Sequence, residues 1–242
     1  MPESMLPLVT SIARMRQELQ QDPERFARLR RVQDWQSHRL SRTYGDFLFH
    51  PRYRDALNFF VRDLYGPHDF SQRDRDLQRV LATWERALPD RALNAVRNAL
   101  ELEALTEALD VAVLDALGHR VPDVVSYAGA YRKADRRPDR QRQIWLILSA
   151  GRALNTLVGT PWVSGALRLA RTPARLAGVH VLHDFLERGY RAFEKMGDAE
   201  ELLRSIERRE TRIMQRLFAG TPAPFDLPEL ESLGRSSRKP QS

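Results

Sequence analysis

The chain of 242 residues contains no cysteine. That absence excludes a disulfide framework, thiolate metal ligation and a cysteine nucleophile, and it fits a reducing compartment. Lysine is nearly missing as well. Of 39 basic residues only Lys133, Lys195 and Lys239 are lysine, and the rest are arginine. No stretch of about 18 uncharged apolar residues occurs, so no membrane-spanning helix is expected. The opening MPESMLPLVTSIARMRQEL turns charged again before any long apolar core, so it does not read as a secretion signal. A cytoplasmic protein is the expectation. G-x-S-x-G, the P-loop, G-x-G-x-x-G and H-E-x-x-H are all absent. So is Glu-x-x-His, which a di-iron carboxylate bundle would need twice.

What is there reads as helix after helix. Apolar residues make up 42% and charged residues 29%, enough apolar content to build a core. Asp22-Pro23 is a cap followed by proline at the first helical position, and Phe26, Leu29, Val32 or Gln33, and Trp35 follow at helical spacing. Pro51 opens a second helix with Tyr53, Leu57, Phe60 and Leu64 on one stripe. Ser71, paired with Asp74 in a capping-box spacing, opens a third with Leu77, Val80, Leu81, Trp84 and Leu88. A long helix runs from Asp90 to Leu117 and ends at Gly118; a shorter one follows Pro122. Around 140–158 the sequence IWLILSAGRALNTLV is apolar nearly all round, which predicts a helix surrounded by its neighbours. Thr160-Pro161 opens a short amphipathic piece to Leu169, and Pro173 opens a helix to Met196. Asp198, with Glu201 three residues on, caps the last, whose buried face is Leu203, Ile206, Ile213 and Leu217. No alternating run argues for a strand. The expected fold is therefore all-α: a compact bundle of eight or nine helices over 1–220 as a single domain. Residues 221–242 form a Pro/Ser-rich flexible tail, first docked through Phe225 and Leu227.

The net charge of +7 is unevenly spread: residues 1–70 carry +2, 71–118 carry −3, 119–178 carry +8 and 179–242 carry none. Clustered charges add their potentials, so 131–175 is the expected surface for an anionic partner, with Arg132, Arg136, Arg137, Arg140, Arg168 and Arg171 as its cations. Nucleic acid is disfavoured, since aromatics there are limited to Tyr127 and Tyr131 and no recognition motif appears. A protein or an anionic small molecule fits better.

Three further places invite a functional reading. In FFVRDLYGPHDFSQRD, Gly66-Pro67 is a helix stop and His68 a loop histidine. Asp63 instead places an acid in the last helical turn, where the dipole disfavours it, so it needs a cation from elsewhere. In GVHVLHDFLERGYRAFEKMG, His180, His183, Asp184 and Glu187 fall within about 100° on a helical wheel. Arg188 and Arg191 sit four residues after the two acids, the spacing of solvated ion pairs, so no metal site is expected. In the third, Arg152 shares a polar stripe with Ser149, Asn155 and Thr156. The rival to a binding surface is a helical-bundle enzyme or cofactor binder with an internal pocket near Asp63, Arg152 and His183, with Tyr65 and Asn155 as further candidate ligand-binding residues. The sequence points to no catalytic residue and to no particular cofactor.

FFVRDLYGPHDFSQRD at 59–74 and FLERGYRAFEKMGDAEELLRSIERRE at 185–210 together resemble an uncharacterised all-helical bacterial family, a domain of unknown function, over about residues 25–220. Asp63, Tyr65 and Gly66 in the first motif and Gly189, Phe193 and Gly197 in the second carry the likeness. It implies bacterial origin and one helical domain, and it transfers no activity.

Overall fold

The computed structural model describes residues 4–65 and 70–227. Among them are eleven α-helices, one π-helical segment and no strand. Two of the eleven enlarge the expected number. Helix α1 (Leu6–Gln20) was hidden by its charges, yet Met5, Val9, Ile12 and Leu19 are buried along one side. Helix α3 (Gly45–Phe49) is a five-residue turn after α2 (Pro23–Thr43). Asp22 caps α2 as expected, accepting from the Arg25 amide at 2.9 Å.

Helix α4 (Arg54–Asn58) runs into the π-helical Phe59–Leu64, where the Tyr65 amide reaches back five residues to the Phe60 carbonyl at 3.1 Å. The wider turn breaks the expected stripe. Tyr53 and Leu57 are buried as the 3.6-residue period predicts, but beyond them Phe59 and Val61 are buried, and Phe60 and Leu64 only partly so. Residues 66–69, which include Gly66, Pro67 and His68, lie outside the described residues. Helix α5 (Ser71–Ala87) then starts without a side-chain cap: Asp74 turns inward to Arg16 instead of serving Ser71.

Helix α6 (Asp90–Leu117) is the axis of the molecule, packing against α1, α2, α7 (Val124–Ala134) and α8 (Arg137–Val158). No residue between Leu100 and Leu114 is exposed. The surrounded helix is therefore α6, and the expectation for 140–158 is corrected. Helix α8 buries Leu146, Leu148 and Gly151 but leaves Trp145 59% exposed and Arg152 at the surface, because its neighbours cover only one side.

Helix α9 (Pro161–Leu176) passes straight through Pro173, and the break falls at Gly178, whose φ of +68° suits glycine. Proline costs an interior helix the hydrogen bond to residue i−4. Here Pro173 and Leu169 are both exposed, so water can take the orphaned carbonyl. Helix α10 (His180–Met196) follows, then α11 (Glu200–Ala219). Asp198 accepts from the Glu200 amide at 3.1 Å, but Glu201 bonds the Tyr53 hydroxyl and closes no capping box.

Three apolar clusters hold these helices. One joins α4 and the π-turn to α10 and α11; a second joins α2, α6, α7 and α11; a third joins α1, α5 and α6. The second includes Leu227, with Phe225 edge-on to Trp35 at 5.6 Å, so the start of the tail is docked. Residues 228–242 lie outside the described residues.

Candidate functional site

The two motifs of the opening reading pack on each other. A side-chain Cβ at Gly189 would sit 2.7 Å from the Phe59 ring, so glycine is what lets the π-turn close on α10. Phe59 also meets Phe185 at 5.2 Å and Phe60 meets Phe193 edge-on at 5.4 Å. Asp63 finds its cation here: Arg188 of α10, 3.0 Å away.

Past the π-turn, the first motif is wired into α6. Glu103, Glu107 and Asp110 recur at i, i+4 and i+7 and so share one face of that helix. Arg16 of α1 contacts Glu103 at 2.5 Å, Glu107 at 2.8 Å and Asp74 of α5 at 2.5 Å. Arg73 bonds Glu103 as well, and the Phe70 ring lies 5.0 Å from the Arg16 guanidinium and 4.2 Å from that of Arg73. Further along the stripe the Tyr65 hydroxyl donates to Asp110 at 2.9 Å.

Burial governs the protonation of these acids. It pushes Glu107 up to about 7 against the pull of Arg16, and Asp110 up to about 6 against Arg140 and the hydrogen bonds of Tyr65 and Gln33. It works the same way on Glu103, but Arg73 and Arg16 outweigh it and hold that carboxyl below its ordinary value. Burial also raises the Tyr65 phenol, with Asp110 reinforcing it. Arg16 and Asp74 reach the wall of a groove of about 510 Å³ between α1 and α5, lined also by Arg14, Gln17, Ser71 and Arg75.

The other expected site residues take separate partners. Arg152 faces Glu200 at 3.4 Å on the surface, and the Asn155 side-chain oxygen accepts from the Ala199 amide at 3.2 Å, tying α8 to the start of α11. His183 bonds the Leu167 carbonyl of α9. Of Asp63, Tyr65, Arg152, Asn155 and His183, only Tyr65 joins the α6 stripe.

Most arginines of the basic segment have partners within the fold, although of its six expected cations only Arg140 is buried. Arg140 is buried over the Tyr131 ring, Arg137 stacks on Phe218, Arg136 pairs with Asp139 at 2.5 Å, and Arg132 reaches the Leu217 carbonyl. Arg171 pairs with Glu187. The side chains of Arg168 and Arg175 make no polar contact among the described residues. Both lie on α9, whose outer side is apolar: Trp162 is 41% exposed, Leu169 81% and Leu176 85%. With Ala166 and Pro173 these fall within about 80° on the helical wheel, an uncovered stripe, and the two arginines lie about 80–100° beyond one edge of it on the exposed surface.

The acids of α6 and their partners Arg16 and Arg73 escaped the sequence reading. The available signal was the i, i+4, i+7 spacing of three acids in a helix otherwise rich in Leu and Ala.

A family model described as "Domain of unknown function (DUF8198)" matches residues 15–224. No curated protein and no solved structure gives a significant match.

Proposed function

Because the chain belongs to the DUF8198 family, whose description assigns no activity, we propose from its own surface that it is a non-enzymatic helical binding protein. It docks an acidic protein partner through the basic segment 131–175, and α9 is the element that makes contact. The observation that carries this reading is the pairing of Arg168 and Arg175, both without polar partners among the described residues, with the uncovered stripe of Trp162, Leu169 and Leu176. Exposed apolar surface edged by charge marks interaction sites, and uncompensated cations supply steering toward an acidic partner. Retention on a poly-glutamate resin tests it. The double reversal Arg168→Glu, Arg175→Glu should abolish salt-dependent retention, whereas Arg14→Glu, Arg31→Glu, the same charge change elsewhere, should leave most of it. Retention that ignores salt, or that falls equally with both pairs, would sink the proposal.

A second reading has its own observation. Glu107, titrating near neutrality, contacts Arg16 at the edge of the α1/α5 groove, an arrangement that suits a small polar ligand whose binding exchanges a proton. Proton uptake or release on binding, measured by calorimetry in buffers of different ionisation enthalpy, would favour it over docking through α9.

A further inference from the structure

Where α9 and α10 meet, His183 has an unusual situation. Its side chain is 6% exposed, and Nε2 lies 2.8 Å from the Leu167 carbonyl oxygen. A carbonyl can only accept, so Nε2 carries the hydrogen and donates it. In the neutral ring this leaves Nδ1 with a bare lone pair. That lone pair faces acids: Asp184 Oδ1 is 3.7 Å away, beyond hydrogen-bond reach, and one ligand atom each of His183, Asp184 and Glu187 lies within 4.8 Å of the others. One imidazole nitrogen and two carboxylates at this separation can share a single cation.

The surroundings prepare the acids for that role. Arg171 and Arg191 both bond Glu187 at the same oxygen, Oε1, which leaves Oε2 without a partner among the described residues. Asp184 is half exposed and gives a route from solvent. A buried imidazole whose second nitrogen donates to a backbone carbonyl has the orientation and tautomer that metal-ligating histidines show.

We propose that His183 Nδ1, Asp184 and Glu187 form a binding site for a divalent transition-metal cation. One imidazole nitrogen with two carboxylate oxygens suits a borderline ion such as Zn²⁺ better than Ca²⁺ or Mg²⁺, which favour all-oxygen shells. The guanidiniums on Glu187 reduce the attraction for a cation, so the site is of moderate affinity, and water completes the coordination on the Asp184 side. This site is separate from the outer stripe of α9 and does not depend on it.

The test is calorimetric titration of the untagged full-length chain with Zn²⁺, which meets no competing thiol because cysteine is absent. One equivalent should bind. Asp184→Asn, at a half-exposed position, should weaken binding by at least about tenfold, as should His183→Gln. Arg191→Gln, which removes a surface cation from Glu187, should tighten it several-fold. In the ¹⁵N spectrum of the imidazoles, Zn²⁺ should move one Nδ1 signal and leave its Nε2–H in place. If the wild-type chain does not bind, or binds no more tightly than Asp184→Asn, the inference is overturned. It is equally overturned if acid alone, and not Zn²⁺, moves that Nδ1 signal: a proton then fills the gap.

Discussion

Helices α6 and α9 use nearly the same alphabet, leucine and alanine with charges at helical spacing, and the fold treats them in opposite ways. Three charges of α6, Glu103, Glu107 and Asp110, are acids turned inward, each met by an arginine or a tyrosine from another part of the chain. The side chains of Arg168 and Arg175 of α9 meet nothing charged among the described residues, and Leu169 and Leu176 face outward. Charge content therefore does not say whether a helix is a surface; the placement of its counter-charges does. The buried ions of α6 add little net stability over apolar packing but make the arrangement specific, because a removed partner leaves a charge stranded in the interior.

The largest expected effect follows from stranding those charges. Arg16→Met removes the one cation shared by Glu103, Glu107 and Asp74, and should cost about 3–5 kcal/mol in urea unfolding. A loss below about 1 kcal/mol would show that the stripe is solvated in practice.

Next comes the pH dependence. The Glu107 pKa is raised in the folded chain from 4.5 to about 7, so the unfolded chain loses its proton first as pH rises. The stability contributed by this group is therefore full below about pH 4.5, falls through the window up to about 7 and is flat above, with a ceiling of roughly 3 kcal/mol. Asp110, raised to about 6, acts in the same sense. Glu107→Gln, which can still accept from Arg16, should flatten the stability–pH curve in that window relative to the wild type. Identical slopes would contradict the raised pKa.

Gly189→Ala drives a methyl into the Phe59 ring and should cost about 1–3 kcal/mol by thermal unfolding, partly recovered by Phe59→Leu. At the small end, Leu169→Ser and Leu176→Ser should each change stability by less than about 0.5 kcal/mol. A greater loss would mean that α9 has a covered face after all.

Much of this architecture was legible because local chemistry agreed with the final packing. Asp123 caps α7 through the Ser126 amide at 2.7 Å, and the four residues assigned to the buried face of α11 are all buried. Pro173 misled because a proline in an exposed turn need not end a helix, and the stripe of Phe60 and Leu64 failed because a π-turn is invisible to a 3.6-residue period. The family resemblance rested on two motifs, and the fold explains their company: Phe59 needs Gly189, and Asp63 needs Arg188. The candidate sites were harder. Asp63 and Tyr65 could be picked out as odd residues, but their partners Arg188 and Asp110 lie on other helices, and no local period links them. The partners of the basic segment were hidden as well, since a run of arginines does not disclose that Arg140 is buried or that Arg137 lies on Phe218.

The contrast between a sealed α6 and an open α9 is tested most directly by amide hydrogen exchange on the full chain. Amides between residues 100 and 114 should exchange only through opening close to global unfolding, and those of 161–176 should exchange by smaller local openings, orders of magnitude faster. Equal protection of the two helices, or faster exchange in α6, would contradict the account.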